Sequence, residues 1–312
     1  MFSRIKTGLF TKKSSKPDED KIAELKRKLA AYDAVVIGAG AGLSAAAGFE
    51  YGGAKFQKYF GDLARVFGIK DMYSGGFYPY PKAENRWAFW SRNSYFNRYV
   101  APPKPVYEQL LKLVREKDYF VLTTNVDHQF QRAGFSKKRL FYTQGDYGLW
   151  QCATPCHGKN YDNREKVEEM LLAQGFVRTE HGIDLPPEGI AAIKSEIPTE
   201  LIPKCPVCGE EMTMNLRVDD SFLEDAGWLE ASERYREFLA EHKERPLLFL
   251  EIGTGYNTPG IIKYPFWQMT AEFPSAYYIC LNLTELEVPE KIAKKSLSVG
   301  GDFAAIVREL LN

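Results

Sequence analysis

The sequence predicts an α/β fold in which helices cover both faces of a doubly wound parallel sheet, joined to a smaller metal-binding module. Three observations support this prediction. A β-branched strand runs directly into a glycine-rich turn and a helix, apolar strands then alternate with amphipathic helices, and two close pairs of cysteines interrupt the alternation. The chain has 312 residues, enough for one large or two modest domains.

Composition argues against two classes of protein. Lysine and arginine together number 41, as do aspartate and glutamate, so the net charge is zero and a general nucleic-acid binder is not expected. The sequence has no run of 18 apolar residues, so we expect no membrane span. Residues 1–17 are basic and lack the apolar core of a secretory signal, which predicts a flexible arm on a cytoplasmic protein. We also expect a monomer.

The elements follow one another as repeated units of helix, strand and loop. Apolar residues at helical or strand spacing define each unit, and the first helix opens with an acidic turn. The predicted helices span 18–32, 43–47, 86–92, 105–117, 165–174, 228–243, 261–270 and 303–311, and the predicted strands span 35–37, 119–125, 247–252 and 276–281. This alternation predicts a parallel sheet.

The glycine-rich turn after the first strand predicts an anion site. Gly38, Gly40 and Gly42 let the backbone approach a phosphate, and the helix that follows offers unpaired N–H groups and a positive dipole end. Their spacing differs from the G-x-G-x-x-G fingerprint, and the lysine of a P-loop is missing. A tight turn between strand and helix, without a ligand, is therefore the alternative.

Polar residues after the other predicted strands extend this candidate site, because ligands of parallel sheets bind at the carboxyl ends of the strands. The candidate site comprises residues 38–44, 125–127, 253–254, 282 and 300–302. Two local alternatives stay open. In the first, Asn125 has no ligand and simply forms an Asx turn after its strand. In the second, Asp127 has no ligand and simply caps a helix that begins at residue 128.

Four of the five cysteines form two close pairs. In a reducing compartment this spacing predicts one zinc ion held by four thiolates, which is a closed, structural site. A catalytic metal, or His157 in place of one cysteine, is the alternative. Cys280 lies in an apolar run and is expected to be a core thiol. The paired residues are Cys152 with Cys156 and Cys205 with Cys208.

Taken together, these motifs resemble the sirtuins, the NAD-dependent Sir2-like proteins. Residues 40–44 (G-A-G-L-S) resemble the sirtuin G-A-G-x-S loop, and residues 123–127 (T-T-N-V-D) resemble the T-Q-N-x-D motif. Residues 133–134 match the A-G that follows that motif, and the cysteine pairs match the zinc ribbon. The resemblance covers residues 20–312 and implies a Rossmann-like fold with NAD as co-substrate.

The resemblance also implies site residues. It places the phosphates at the glycine loop, the reacting ribose beside Asn125 and Gln144, and the nicotinamide amide against Val126 and Asp127. The implied catalytic residues are Asn125, Gln144 and Asp127. The implied cofactor-binding residues are Gly40, Ala41, Gly42, Ser44, Asn125, Val126, Asp127, Gln144, Gly253, Thr254, Asn282 and Asp302.

The departures from the sirtuin pattern favour a different reaction. Sirtuin deacylases have a His-Gly pair where this chain has Gln144 and Gly145, and glutamine hydrogen-bonds a ribose hydroxyl but takes no proton. Residues 49–53 replace the family's I-P-D-F-R segment. The pattern resembles the macrodomain-linked (class M) sirtuins. That resemblance implies mono-ADP-ribosylation of a lipoylated carrier protein related to the glycine-cleavage H protein, a macrodomain hydrolase as partner, and a role in oxidative stress.

Three other functions remain open: an NAD-dependent deacylase, an NAD hydrolase and a non-catalytic NAD sensor. Glu50 is a candidate acid or base, or else simply a solvated carboxylate. Arg92 and Arg217 are candidates for binding an anionic acceptor. The remaining candidate bases are His128, His181 and His242.

The predicted domain organisation follows these assignments. The aromatic residues of 54–100 are expected to pack a small helical module, and the alternative is that some line a substrate pocket. The predicted parts are a flexible arm (1–17), a Rossmann-like NAD-binding domain (18–53, 101–150 and 216–312), and a small domain with a helical, aromatic-rich part (54–100) and a zinc-binding part (151–215).

Overall fold

The computed structural model describes residues 18–312, and the predicted basic arm lies outside the described residues. Within them, no helix is both long enough and apolar enough to cross a membrane. The strands are β1 (Ala34–Ala39), β2 (Asp118–Thr123), β3 (Leu140–Tyr142), β4 (Gly145–Cys152), β5 (Tyr161–Asp162), β6 (Val177–Thr179), β7 (Gly182–Asp184), β8 (Met212–Leu216), β9 (Leu247–Ile252), β10 (Ala276–Asn282) and β11 (Ser296–Gly300). The α-helices are α1 (Glu19–Ala31), α2 (Ala41–Ala46), α3 (Gly53–Phe67), α4 (Met72–Gly76), α5 (Ala83–Ser94), α6 (Val106–Val114), α7 (Gln129–Arg132), α8 (Arg164–Gln174), α9 (Ala226–His242), α10 (Lys263–Glu272) and α11 (Phe303–Leu311).

Six strands form one parallel sheet in the order β11–β10–β9–β1–β2–β3. The chain order reverses at β1, which pairs with β2 on one side and with β9 on the other. The predicted doubly wound parallel sheet is therefore confirmed. The edge strands β3 and β11 were not predicted, because one has only three residues and the other alternates apolar residues with serine and glycine.

The central strand β1 is buried along its whole length because helices cover both faces of the sheet. Val35 and Ile37 pack in one apolar cluster with residues of α1, α6 and α11. Val36 belongs to the cluster on the opposite face, with residues of α9 and α10. Successive side chains of a strand point to opposite faces, so this β-branched run contributes to both cores.

Helix boundaries follow the capping residues. Asp18 accepts a hydrogen bond from the Asp20 amide at 3.1 Å and caps α1, which begins at Glu19, one residue after the predicted start. Asp302 caps α11 in the same way, accepting from the Ala304 amide at 3.0 Å. Helix α2 begins at Ala41, two residues before the predicted start, so Gly42 lies in its first turn.

The remaining elements pack apart from the parallel sheet. Strands β4, β5 and β8 form an antiparallel sheet, and β6 and β7 form a hairpin. In the aromatic-rich segment, Phe56, Phe60 and Phe89 are fully buried and pack together with ring centroids 5.4 to 5.6 Å apart. The predicted packing role is confirmed for these rings, whereas Tyr73 and Phe77 are 70% and 59% exposed. The domain boundaries stay a prediction.

Arg92 is the one sequence candidate whose suggested role the fold contradicts. Its side chain is fully enclosed and donates to both carboxylate oxygens of Asp62, at 2.5 and 2.9 Å. It also donates to Gln174 at 2.7 Å, so it joins α3, α5 and α8. A guanidinium committed in this way has no surface to offer an anionic acceptor, and its role is structural.

Candidate active site

The glycine turn after β1 packs directly against the loop that follows β9. The Gly40 amide donates to Ile252 O at 3.1 Å, and the Gly42 amide donates to Gly253 O at 2.9 Å. A Cβ on Gly40 would lie 2.8 Å from Gly253 O, and one on Gly42 would lie 2.6 Å from Gly253 Cα. These glycines are therefore required by the close approach of two loops at the point where the strand order reverses.

A cavity of about 350 Å³ opens at these loops. Its lining contains eight of the predicted cofactor-binding residues and six other residues. The selected residues are Gly40, Ala41, Gly42, Asn125, Gln144, Gly253, Thr254 and Asn282, and the others are Thr124, Gly255, Asn257, Thr258, Ile262 and Glu285. Most of these six other residues lie in the polar loops after β9 and β10. Extending the candidate site along those two loops would have predicted them from the sequence.

Ser44 and Asp127 lie beneath the cavity rather than on its lining. Ser44 is fully buried and donates to Asp127 Oδ2, and its Oγ lies 2.8 Å from the Tyr107 hydroxyl. Asp127 Oδ1 also accepts from the Gln129 amide at 3.2 Å, but α7 begins at Gln129 with His128 as its N-cap, so Asp127 is not the capping residue of this helix. Burial raises the pKa of Asp127 to about 6, against the opposing effect of these hydrogen bonds.

Asn125 reaches across to the glycine turn instead of folding back on its own loop. Its Nδ2 donates to Gly40 O at 3.0 Å and lies 3.4 Å from the Tyr107 hydroxyl. Burial raises the pKa of Tyr107 well above its usual value, so this phenol stays protonated. Tyr107 thus links Asn125 to the Ser44–Asp127 pair, a connection that sequence reasoning missed because Tyr107 lies on the apolar face of α6.

Two of the predicted binding residues lie away from the main cavity. Val126 shares a narrow recess with Asp127 behind Asn125, and its carbonyl accepts from the Tyr147 amide at 2.9 Å. Asp302 caps α11, lies 3.9 Å from Lys104 Nζ and does not line the cavity. Their roles toward a cofactor stay predictions.

Gln144 enters the cavity from the segment between β3 and β4. Its backbone carbonyl accepts from the Arg217 amide at 3.0 Å. The next residue, Gly145, has a φ of +94°, and a Cβ there would lie 1.9 Å from Asn215 O. Only glycine fits this turn, which fixes Gln144 at the cavity wall. The Arg217 guanidinium pairs with Glu224 and lies 4.4 Å from the centre of the Phe222 ring.

Among residues 18–312, no histidine lines the cavity. His128 Nδ1 lies 2.6 Å from Asp146 Oδ2 in the recess behind Asn125. His242 is buried on α9, and His181 is an exposed partner of Glu180. Glu50 is exposed on the loop before α3 and does not line the cavity either.

The four paired cysteines converge as a metal site. Their sulfur atoms all lie within 4.8 Å of one another, with 3.5 Å between Cys152 and Cys208 and 3.7 Å between Cys156 and Cys205. Zinc–sulfur bonds in a tetrahedron place sulfurs about 3.8 Å apart, so the donors fit one zinc ion. His157 Nδ1 lies 3.0 Å from Cys156 Sγ, outside this complete set of four. The ion would have no open position, so its role is structural.

Loss of one thiolate should therefore remove the metal. We expect wild-type protein to bind one zinc ion per chain and Cys205→Ser to bind less than a tenth of that, with a lower temperature of unfolding. Metal analysis and thermal unfolding measure both quantities. Cys280→Ala is the matched control, because Cys280 lies in the sheet core and should leave the zinc content unchanged. Full zinc content in Cys205→Ser would contradict the assignment.

Comparison with known proteins identifies the family to which this fold and cavity belong. A Sir2 homolog solved as an NAD complex superposes with a TM-score of 0.53 at 16% identity, over 93% of each chain, which shows the sirtuin fold. A protein ADP-ribosyltransferase of Staphylococcus aureus is 34% identical over 280 residues, which are 89% of this chain and 83% of that protein. The chain belongs to the protein ADP-ribosyltransferases of the sirtuin fold.

A fungal relative of this transferase family adds a second activity. A probable bifunctional ADP-ribose hydrolase/ADP-ribosyltransferase of Fusarium oxysporum f. sp. cubense is 30% identical over 244 residues. These cover 76% of this chain but 38% of that protein, so the fungal protein has a large additional part. No family model matches the chain.

Proposed function

We propose that this protein transfers ADP-ribose from NAD to a protein acceptor and releases nicotinamide. The proposal rests on the composition of the cavity wall. Asn125 and Gln144 both line the cavity, and no histidine from residues 18–312 does. Such a wall binds and orients a ribose but offers no imidazole base for deacylation. Membership of the ADP-ribosyltransferase family supports the same reaction.

The first step breaks the bond between ribose C1′ and the nicotinamide nitrogen, and the bonding electrons leave with nicotinamide. We assign the pyrophosphate to the glycine turn at the start of α2, where backbone N–H groups and the helix dipole favour anions. Asn125 and Gln144 hold the ribose hydroxyls as positive charge develops at C1′. Asp127 accepts from the nicotinamide amide and so orients the leaving group. The acceptor's nucleophile then forms a bond to C1′, and its proton passes to solvent.

We further propose that the acceptor is a lipoylated carrier protein related to the glycine-cleavage H protein, and that a macrodomain hydrolase removes the modification during oxidative stress. The combination of hydrolase and transferase in the fungal relative supports this pairing of activities. A thiolate zinc site suits a reducing cytoplasm, which is the setting we propose.

Intact mass spectrometry tests the reaction directly. The protein is incubated with NAD and either a lipoylated carrier, the same carrier without lipoate, or an acyl-lysine peptide. We expect one ADP-ribose to be added to the lipoylated carrier, with no acyl loss from the peptide. Asn125→Ala is the inactive control.

The other outcomes separate the rival functions. Acyl loss with formation of O-acyl-ADP-ribose would establish a deacylase. Free ADP-ribose with an unmodified carrier would establish an NAD hydrolase. Binding of NAD without any turnover would favour a non-catalytic NAD sensor. Equal modification of both carriers would retain the transferase and overturn the proposed requirement for lipoate.

The raised pKa of Asp127 predicts how NAD use depends on pH. Its ionised carboxylate accepts the nicotinamide N–H, and burial raises its pKa to about 6. As the pH falls through 6, this group takes up a proton and loses acceptor capacity, so kcat/KM for NAD should fall about tenfold per pH unit. Steady-state rates between pH 5 and 8 measure this. Asp127→Asn should lower kcat/KM and flatten the profile, whereas an unchanged profile in that variant would contradict the assignment.

A further inference from the structure

Two aromatic side chains of α4 lie side by side on the surface of the protein. Tyr73 is 70% exposed and Phe77 is 59% exposed, and their ring centroids lie 5.0 Å apart. Single exposed apolar side chains are common on protein surfaces, whereas adjoining ones are typical of an interaction site. The aromatic pair therefore needs an explanation.

Two glycines bring α4 close against α5, so the side chains on its outer face stay in solvent. A Cβ on Gly75 would lie 2.3 Å from the Phe89 ring, and one on Gly76 would lie 3.3 Å from the Trp90 ring. The helix thus packs through its backbone, and the aromatic pair is left out of the core. Because the two rings remain in solvent, binding explains them better than folding does.

A capping box fixes the orientation of α4. Asp71 Oδ1 accepts from the Ser74 amide at 2.6 Å, and Ser74 Oγ accepts from the Asp71 amide at 3.1 Å. A helix that is fixed at its first turn presents Tyr73 and Phe77 in one arrangement. A partner that binds this arrangement loses less conformational entropy than one that must order a loose segment.

The start of α4 is attached to the loop beside the proposed site of transfer. The Met72 amide donates to Tyr51 O at 2.7 Å. Burial raises the pKa of Tyr51, and the nearby Asp127 carboxylate raises it further. Tyr51 therefore joins α4 to the Ser44–Asp127 pair beneath the cavity. A cavity of about 350 Å³ has no room for a protein domain, so the body of a protein acceptor must lie on the surface around it.

The charge around the aromatic pair favours an acidic partner. Residues 53–82 contain five basic residues and two acidic ones. Both acids are already engaged, because Asp62 is buried in an ion pair and Asp71 caps α4. Arg65 in the last turn of α3 and Lys70 in the loop before α4 are both exposed. An apolar centre with cations beside it fits a surface that carries carboxylates around apolar side chains.

The two cations adjoin the aromatic pair. The Lys70 amide donates to Ser74 Oγ of α4 at 3.1 Å. The Phe67 ring lies 5.5 Å from the ring of Tyr78, which brings the end of α3, with Arg65, to the end of α4. The aromatic pair and these cations together form one surface, which we call the α4 docking surface.

We propose that the α4 docking surface binds an acidic face of the acceptor protein and so holds that protein beside the cavity, an inference that rests on the proposed function. The acceptor's modified residue then enters the cavity while its body lies on α4. The surface thus contributes to the affinity for the acceptor and not to the chemistry at C1′.

Steady-state kinetics with the lipoylated carrier, at saturating NAD, test the inference. In the aromatic variant, Tyr73→Ser with Phe77→Ser, we expect KM for the carrier to rise at least about tenfold while kcat stays within about twofold of wild type. In the charge variant, Arg65→Glu with Lys70→Glu, KM should rise at least about fivefold at low ionic strength and less at high ionic strength. NAD affinity, measured by calorimetry, should not change, because none of these residues lines the cavity.

Two matched controls lie on helices that cover the parallel sheet. Leu311→Ser removes an exposed apolar side chain from α11, and Lys26→Glu with Arg27→Glu reverses two exposed charges on α1. Both controls should leave KM for the carrier unchanged. Thermal unfolding checks that all variants remain folded. An unchanged KM in the aromatic variant, or an equal rise in the controls, would overturn the docking role, and an unchanged KM in the charge variant would overturn the acidic partner.

Direct binding of the carrier separates this inference from the proposed reaction. A carrier that binds wild type more tightly than the aromatic variant but is never modified would retain the docking role and overturn the transfer. A carrier that is neither bound nor modified would overturn both. A wild-type dimer that the aromatic substitutions dissociate, with KM for the carrier unchanged, would assign the surface to a second copy of the chain and overturn the inference alone.

Discussion

Replacing Asn125 with alanine should lower the rate of nicotinamide release by at least about a hundredfold, the usual effect of removing one positioned donor from an active site. Asn125 lies on the cavity wall, and its Nδ2 bridges Gly40 O and the Tyr107 hydroxyl. In the proposed mechanism this side chain holds the ribose, and its contacts to Gly40 and Tyr107 hold the side chain itself. Its loss removes both a contact to the substrate and the link to the buried Ser44–Asp127 pair.

The comparison needs variants that separate catalysis from folding. Asn125→Asp keeps the size of the side chain but removes the amide donor, so we expect a similar loss of rate. Gln109→Ala is the control, because Gln109 lies on α6 with Tyr107 but outside the cavity lining. Nicotinamide release, NAD affinity and zinc content are measured for each. A rate within threefold of wild type in Asn125→Ala would remove this residue from the mechanism.

The sequence predicted those parts of the fold that depend on local pattern. β1, β2, β9 and β10 are strongly apolar, so their existence and parallel arrangement follow from composition and from the helices between them. The convergence of the cysteines also follows from a local signal, the close spacing of each pair. Because ligands of parallel sheets bind at the carboxyl ends of the strands, the polar loops at these ends then indicated most of the residues in the cavity wall.

The sequence could not predict contacts made between distant segments. Tyr107 reads as one more residue of an amphipathic helix, and only the fold brings its hydroxyl to Ser44, 63 positions away in the chain. Arg92 reads as a candidate for anion binding until the fold places Asp62 against it. The position of Ser44 also depends on a distant contact, because its partner Asp127 lies in the loop after β2.

A buried ion pair under the Thr254 loop gives the largest expected effect on stability. Lys263 and Glu251 are fully enclosed, with Nζ and Oε1 2.6 Å apart. Burial lowers the pKa of Lys263, but the attraction of Glu251 outweighs this and raises it above its usual value, so the lysine is charged. Thr254 donates to Glu251 Oε1, and the Tyr278 hydroxyl donates to Oε2 at 2.6 Å.

Lys263→Met should lower the free energy of unfolding by about 3–5 kcal/mol, because it leaves the Glu251 carboxylate buried without its counter-charge. Urea unfolding measures this loss. The double variant Lys263→Met with Glu251→Gln should recover a large part of it, since no unpaired charge then remains in the core. The single variant should also weaken NAD binding, because Glu251 fixes the hydroxyl of Thr254 at the cavity wall. A loss below about 1 kcal/mol, or a double variant less stable than the single one, would show that the pair does not hold this loop.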